Sequence, residues 1–340
     1  EFQRDFDRLI FSAPFRRLQN KTQVFPLPGS IFVHNRLTHS LEVSCVGRSL
    51  GDSIASKLIA KHPELASSHV SEIGAIVSAA CLAHDLGNPP FGHSGEKAIS
   101  TYFSEGKGMI LQNQLSSMEW EDLTHFEGNA NAFRLLTHQF RGRRKGGFVM
   151  TYSTLASIVK YPFPSILAGK KPKFGFFTTE IEDYIKIAEE LGIKRLSLEG
   201  EPIKYARHPL VFLVEAADDI CYQMMDIEDA YKLKLLTPRE TKELYQLFLD
   251  EKKKERVEEV FRLVTDENEQ IAYLRATVIG LLVKECTQVF MDNEEAILNG
   301  TFEGALIKHI SDPLSNADKQ CSKVAVEKIY RSRDVLDIEL

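Results

Sequence analysis

The sequence predicts an all-α protein, and two observations support that prediction. Apolar residues recur with the helical period of about 3.6 residues in several long segments. The alternation typical of a half-buried strand is confined to two short runs, at 30–33 and 174–177. With 340 residues, of which 43% are hydrophobic and 26% charged, the chain has the composition of a globular protein with a sizeable core.

Three helices are predicted in the first part of the chain. The first begins at Arg36 and keeps one broad apolar face, formed by Leu37, Leu41, Val46, Leu50, Ile54 and Leu58. The second covers 72–83, and its apolar stripe consists of Ile73, Ile76, Val77, Ala80 and Cys81. The third covers 95–103, because the hydroxyl of Ser94 is of the kind that caps a helix N-terminus.

Three more helices are predicted in the second half. A long and deeply buried one covers 207–235, with Pro209 in its first turn, where a missing N–H is tolerated. The residues from Thr237 to Glu240 form the pattern of a capping box, which indicates the start of another helix. A further long helix covers 271–290, where apolar residues again share one face.

The segment 140–179 is predicted to be irregular and basic. Two glycines directly follow its first group of cations, and a second group comes later; the two groups are Arg141, Arg143, Arg144 and Lys145, and Lys170, Lys171 and Lys173. Such a stretch is usually a solvated loop, and contact with phosphate is the alternative interpretation. We therefore expect one domain over 1–340, cut from a longer protein at both ends, with a basic loop-rich insertion at 140–178.

Charge and cysteine usage limit the classes of function. A net charge of −6 argues against a general nucleic-acid coat protein. The five cysteines lack a paired spacing and lie in apolar stretches, which favours reduced thiols in a cytoplasmic protein. No apolar run reaches the length of a membrane span, and the first residues do not form a signal peptide, so no membrane partner is expected.

The residues that indicate chemistry are His39, the adjacent pair His84 and Asp85, and Asp218. Imidazoles and carboxylates are suitable ligands for Mn²⁺, Fe²⁺, Zn²⁺ or Mg²⁺. The His-Asp pair ends an apolar helix and leads directly into a turn that contains a glycine and two prolines. Asp218 lies on a predicted helix whose four-residue spacing also brings Tyr222 and Asp226 onto the same ridge. Polar groups on an otherwise apolar helix are costly unless something binds them.

Four strings in the chain, taken together, resemble one known family. They are FRRLQNKTQVFP at 15–26, RLTHSLE at 36–42, HDLGNPPFGH at 84–93 and EAADDICY at 215–222. The sequence is similar over nearly its whole length to the deoxyguanosine triphosphate triphosphohydrolase family of the HD superfamily, which is named after its His-Asp pair. The resemblance implies an all-α HD-domain fold with additional helices and irregular insertions.

The resemblance also implies a metal centre and an acid. One divalent metal ion per subunit, Mn²⁺ or Mg²⁺ with Fe²⁺ or Zn²⁺ as alternatives, would be held by His39, His84, Asp85 and Asp218. The implied catalytic residues are His93, Glu96 and Glu127. Glu96 follows His93 by three residues, a spacing that independently allows the carboxylate to orient the imidazole. The histidine would then protonate the departing 5′-oxygen of the substrate.

The substrate contacts follow in the same way. Arg36, Lys160 and Tyr161 are expected on the phosphate side, because cations must bind the triphosphate. Tyr222 and Asp226 would contact the sugar, with Gln23 at the base edge and Val24 beside the sugar. Asn88 is also expected to contact the substrate. Animal relatives carry a further histidine at this position, so their exact phosphate contacts are not transferred to this chain. A structural role is predicted for six other histidines, which are His34, His62, His69, His138, His208 and His309.

The implied function is hydrolysis of dGTP or another dNTP to a deoxynucleoside and inorganic triphosphate. One alternative is another HD phosphohydrolase, a nucleotidase or a phosphodiesterase, which would need the same metal cluster. The other is a regulatory subunit with little turnover that responds to a nucleotide or to single-stranded DNA. The resemblance further implies a homo-oligomer, often a hexamer, with single-stranded DNA or a dNTP as effector.

Overall fold

The structure, a computed structural model, describes residues 1–23, 33–142, 145–169 and 172–330. Within these ranges the chain is helical and contains no β-strand; two isolated bridges, Thr22 with Asn35 and Arg195 with Tyr205, are the only β-type pairing. The all-α prediction is confirmed. The run at 174–177 is neither strand nor helix, because its aromatic residues are buried in an irregular segment, and 30–32 lie outside the described residues.

The helices alternate with short irregular connections. Those of the first half are α1 (Phe2–Ile10), α2 (Ala13–Arg17), α3 (Arg36–Lys61), α4 (Ile73–Ala83), α5 (Gly92–Ser104), α6 (Ser117–Thr124), α7 (Gly128–Thr137) and α8 (Tyr152–Ile158). Those of the second half are α9 (Ile181–Glu190), α10 (Val211–Lys232), α11 (Pro238–Gln246), α12 (Glu251–Leu263), α13 (Glu267–Asp292), α14 (Glu294–Leu298) and α15 (Asp312–Val324). A π-helical segment, Ala325–Tyr330, follows α15, and short 3₁₀ helices occupy several connections.

Helix α4 lies at the centre of the fold. Ten of its eleven residues are buried, as expected for a helix that is apolar on every side. It packs along α3, and α10 and α13 complete the layer around α3. A Cβ on Gly51 of α3 would lie 2.6 Å from the Cα of Gly74 in α4, so glycine is required for this close approach. We estimate that truncating the fully buried Leu50 to alanine would cost about 2–5 kcal/mol of stability.

The predicted helices are found, with differences at their ends. The first begins at Arg36 as expected, capped by Asn35, and Thr237 forms the predicted capping box with Glu240. The buried helix predicted over 207–235 is shorter, Val211–Lys232, so Pro209 precedes it instead of lying in its first turn. The segment 140–179 is less irregular than expected, because it contains helix α8, whose N-terminus is capped by the side chain of Thr151.

The prediction that Ser94 caps the third helix is wrong. Helix α5 begins at Gly92, two residues earlier, and Ser94 lies within its first turn. The residue before the helix is Phe91, whose backbone is left-handed with φ 64°, and Gly92 follows with φ 53°. The chain therefore enters the helix through a sharp reversal after the two prolines, not through a side-chain cap.

No helix among the described residues is long and apolar enough to cross a membrane.

Candidate active site

The four predicted metal ligands converge from three parts of the fold. His39 comes from the second turn of α3, His84 and Asp85 directly follow α4, and Asp218 lies on α10. Donor atoms of His39, His84 and Asp85 lie within 4.8 Å of one another. Asp218 Oδ1 is 3.0 Å from His39 Nε2 and 3.5 Å from His84 Nε2. Residues that are up to 179 positions apart thus form a single cluster.

The donor set is suitable for a divalent metal ion. His84 Nδ1 lies 2.6 Å from the carbonyl oxygen of Cys81, which can only accept, so Nδ1 carries a proton. His84 Nε2 is buried and has no hydrogen-bond partner among the described residues, since the nearest oxygens of Asp85 and Asp218 are 3.6 and 3.5 Å away. A histidine that binds a metal usually has one ring nitrogen hydrogen-bonded to the protein and the other nitrogen available to the ion.

The electrostatics of the cluster favour a cation. Burial by itself would lower the pKa of His84, but the carboxylates of Asp85 and Asp218 outweigh burial and raise this pKa to about 9. Burial would likewise raise the pKa of Asp218, yet the neighbouring imidazoles hold it well below its usual value. The cluster therefore retains protons where a divalent ion would replace them.

Both oxygens of Asp85 are held by side chains. Arg36 Nη1 donates to Oδ2 at 2.5 Å, and the Asn88 amide donates to Oδ1 at 2.5 Å. The Arg36 guanidinium, predicted to clamp phosphate, thus forms an ion pair with one of the proposed metal ligands. A Cβ on Gly92 would come within 3.0 Å of this guanidinium, so the glycine leaves room for it.

His93 and Glu96 form a pair at the start of α5. Nδ1 of His93 lies 2.7 Å from Glu96 Oε2, and 85% of the imidazole surface is exposed. Glu96 Oε1 accepts a hydrogen bond from the Gly128 main-chain N–H at 2.7 Å. Burial would raise the pKa of Glu96, but the bond to His93 outweighs it and the net shift is downward. The carboxylate is therefore ionised and can orient the histidine, as the spacing predicted.

Glu127 has a different position from the other predicted catalytic residues. It is fully buried and caps α7, where its carboxylate accepts from the main-chain N–H groups of Asn129 and Ala130. Its Oε1 also pairs with Lys173 Nζ at 2.7 Å. Glu127 does not line the cavity described next, so among the described residues its connection to that cavity passes through Lys173 and Asn129.

A cavity of about 610 Å³ joins the cluster to the His93 pair. Most of the predicted substrate residues line it: Gln23, Arg36, Asn88, Lys160, Tyr161 and Tyr222. Asp226 does not; it is buried two turns beyond Asp218 on α10. Val24 lies outside the described residues. Gln23 Oε1 is buried and has no hydrogen-bond partner in the described part of the chain.

Two further charged residues line this cavity that were not among the predicted site residues, Lys173 and Glu215. Lys173 was assigned to a solvated basic loop, but it lies at the wall near Glu96 and pairs with Glu127. Glu215 lies on α10 one turn before Asp218 and binds Lys160 at 2.9 Å and Arg207 at 2.6 Å. The available signal was the spacing of three residues from Glu215 to Asp218 and of four from Asp218 to Tyr222, which places all three on one face of a helix.

Comparisons with known proteins identify the family. The family model of the HD domain matches residues 36–161. A deoxyguanosinetriphosphate triphosphohydrolase-like protein from Pseudomonas aeruginosa strain LESB58 is 40% identical, over 98% of this chain and 74% of its own length. The corresponding protein from Synechocystis is 41% identical over 90% of this chain and 70% of its own. A deoxyguanosinetriphosphate triphosphohydrolase from Yersinia enterocolitica is 33% identical over all of this chain and 73% of its own. The chain therefore belongs to the family of deoxyguanosinetriphosphate triphosphohydrolase-like proteins, a family of hydrolases that carries the metal-binding HD domain.

Proposed function

We propose that the protein hydrolyses dGTP or another dNTP to a deoxynucleoside and inorganic triphosphate. The observation that supports this most directly is that the His93 and Glu96 pair shares one cavity with the cluster of His39, His84, Asp85 and Asp218. A proton donor and a metal-type donor set that face the same space are the two parts that phosphate-ester hydrolysis requires.

The cluster would hold one divalent ion, Mn²⁺ or Mg²⁺, through the two imidazoles and two carboxylates. When bound, such an ion polarises a phosphoryl oxygen and activates a water molecule for attack on the α-phosphorus. Arg36 and Asn88 hold the two oxygens of Asp85, so this carboxylate keeps its orientation before any ligand arrives.

His93 would supply the proton to the leaving group. Because Glu96 holds Nδ1, the opposite nitrogen of the exposed ring is available to the cavity. As the bond between the α-phosphorus and the 5′-oxygen breaks, that oxygen takes the Nε2 proton of His93 and leaves as the 5′-hydroxyl of the deoxynucleoside. Glu96 stabilises the protonated ring beforehand and is itself fixed by the Gly128 N–H.

The remaining wall is suitable for binding a triphosphate. Lys160 and Lys173 both reach the cavity, and each is paired with a glutamate that keeps it charged, Glu215 and Glu127 respectively. Burial would lower the pKa of each lysine, yet the adjacent carboxylate outweighs burial and raises it. These ammonium groups would contact the β- and γ-phosphates, while Tyr222 of α10 would contact the sugar.

The test is an analysis of products. Protein treated with chelator and reloaded with Mn²⁺ would be given each of the four dNTPs and GTP, with products separated by ion-exchange chromatography. We expect deoxynucleoside and intact triphosphate, and activity about 10²–10⁴-fold lower for His93→Ala. Release of pyrophosphate or orthophosphate would instead indicate another HD phosphohydrolase, and a preference for GTP would contradict the proposed substrate class.

A further inference from the structure

The turn that follows the His-Asp pair is held by a lysine from a distant segment. Lys21 ends the 3₁₀ helix Leu18–Asn20, and its Nζ donates to the carbonyl oxygens of Asn88 at 2.6 Å and Leu86 at 3.3 Å. The carbonyl between them, that of Gly87, accepts from the side-chain amide of Asn131 at 2.8 Å. Three successive carbonyls after α4 are thus satisfied by side chains from two other segments.

Lys21 also connects this turn to α3. Its own carbonyl oxygen accepts from the Arg36 N–H at 3.0 Å, and the next residue, Thr22, forms a bridge with Asn35. Arg36 in turn binds Asp85, and Asn88, whose carbonyl Lys21 holds, binds the other oxygen of Asp85. Among the described residues, the two hydrogen bonds that hold the Asp85 carboxylate therefore come from Arg36 and Asn88, and each of these is itself hydrogen-bonded to Lys21.

The charge of Lys21, considered alone, would weaken the binding of a metal ion at the cluster. An ammonium near a cluster that binds a divalent cation repels that cation. Its hydrogen-bond acceptors among the described residues are main-chain carbonyls of the turn that follows α4, and a hydrogen bond from a charged donor to a carbonyl is stronger than one between neutral groups. The lysine is therefore placed to bind the turn at the expense of some repulsion of the ion.

We propose that Lys21 is a positioning residue for the metal centre: it fixes the turn at 86–88 and, through Arg36 and Asn88, the orientation of Asp85. This role rests on the proposed metal-dependent function, but the contacts of Lys21 do not depend on a substrate. Positioning and simple charge make opposite predictions for removal of the ammonium. If positioning dominates, the ion binds more weakly; if repulsion dominates, the ion binds more tightly.

The experiment measures the Kd for Mn²⁺ by electron paramagnetic resonance in Lys21→Met and Lys21→Arg. We expect the Kd to rise about 10–100-fold in Lys21→Met, the effect typical of lost support behind a metal ligand, and to return to within about threefold of wild type in Lys21→Arg. Lys57→Met is the matched control, since its ammonium binds Gln288 on the surface, and should leave the Kd unchanged. An unchanged or lower Kd in Lys21→Met would overturn the proposal.

A second measurement separates this proposal from the proposed function. If the wild-type protein bound no Mn²⁺, the metal-dependent function would fail, and amide hydrogen exchange of residues 84–93 in chelated protein would decide the role of Lys21. We expect exchange of this segment to accelerate about tenfold or more in Lys21→Met and to be restored in Lys21→Arg, with similar melting temperatures. Equal exchange in all three proteins would then reject it.

Discussion

The two sides of the cavity are built in different ways. The proposed metal side consists of His39 and Asp218, which lie within the long helices α3 and α10, and of His84 and Asp85, which directly follow the buried α4. The proposed phosphate side consists of Lys160 and Lys173, which lie in irregular chain after α8, outside any helix. The metal side is anchored in the core, whereas the phosphate side is anchored by ion pairs to Glu215 and Glu127.

This difference indicates which interactions are ready before a ligand arrives. The side chains on the metal side are oriented by hydrogen bonds from their neighbours. The Cys81 carbonyl holds the imidazole of His84 in this way, and the Asn88 amide holds the carboxylate of Asp85. Lys160 and Lys173 are charged but already form ion pairs with carboxylates, so a phosphate must compete with Glu215 and Glu127 for them. Removing one member of a preformed ligand set should therefore cause a large loss of metal affinity. Removing one of several lysines that are also paired with glutamates should cause a smaller loss of substrate affinity.

The largest expected effect comes from Asp218→Asn. This substitution removes the carboxylate charge that faces both His39 and His84, so we expect Mn²⁺ affinity to fall at least about 100-fold and turnover of dGTP about 10³-fold. Metal titration followed by electron paramagnetic resonance, together with initial rates, would measure both losses.

Asp219→Asn is the matched control, because it changes the same group one residue along α10. Burial next to Asp218 raises the pKa of Asp219 to about 7, and its side chain does not line the cavity. We expect Mn²⁺ affinity within a few-fold of wild type. If Asp219→Asn lost the metal and Asp218→Asn kept it, the proposed ligand set would be wrong.

The proposed metal side was also the part of the site whose arrangement in space the sequence predicted best. The strings around His39, His84 and Asp218 indicated one cluster, and the structure brings these residues together. Helical periodicity located α3, α4, α10 and α13, because their apolar faces pack on one another around the same core. Local pattern and tertiary packing agree there, which is why a sequence-level argument succeeds.

The phosphate side was predicted less completely, for physical reasons. Lys173 belongs to a basic stretch whose composition is that of a solvated loop, and only the fold brings it to Glu127. Ser94 had the right chemistry for a cap, but the left-handed Phe91 starts α5 earlier, and backbone reversals of this kind leave little trace in composition. Contacts between distant irregular segments have no period to detect.

A smaller effect is expected from Lys173→Met and Lys160→Met. Each removes one ammonium from a wall that also has other cations, so we expect KM for dGTP to rise roughly tenfold, equivalent to about 1.4 kcal/mol, with Mn²⁺ affinity unchanged. Steady-state kinetics at two salt concentrations would measure the change, since the charge contribution weakens as salt rises.

Lys97→Met is the control for these two variants. Lys97 is exposed on α5, next to Glu96, and lies outside the cavity lining, so its loss should leave KM within about twofold of wild type. If either cavity lysine could be removed without a change in KM, the corresponding wall would not contact phosphate. If the loss of either lysine also released the metal ion, metal binding would depend on the phosphate side of the cavity.

The last expected effect is on stability and not on activity, and it concerns the contact between α3 and α10. Just before α3, His34 Nδ1 lies 2.6 Å from Asp229 of α10, and its Nε2 lies 3.0 Å from Glu42. Burial would lower the pKa of His34, but its bonds to Asp229 and Glu42 outweigh burial and raise this pKa to about 10. We expect His34→Gln to lower the free energy of unfolding by about 2 kcal/mol at pH 6, since bonds to charged groups contribute roughly 1.5–3 kcal/mol.

The sign of the pH dependence follows from that shift. Below pH 6.5 the histidine is protonated in both the folded and the unfolded chain, so its stabilising contribution is fully present. As the pH rises from there through about 10, the unfolded chain loses this proton first, and the contribution declines. Urea unfolding of both proteins at pH 6, 8 and 9.5 should therefore show the difference shrinking. A difference that stayed constant would mean that neutral hydrogen bonds, not an ion pair, join α3 to α10, and the anchoring of the metal side would then be independent of this charge.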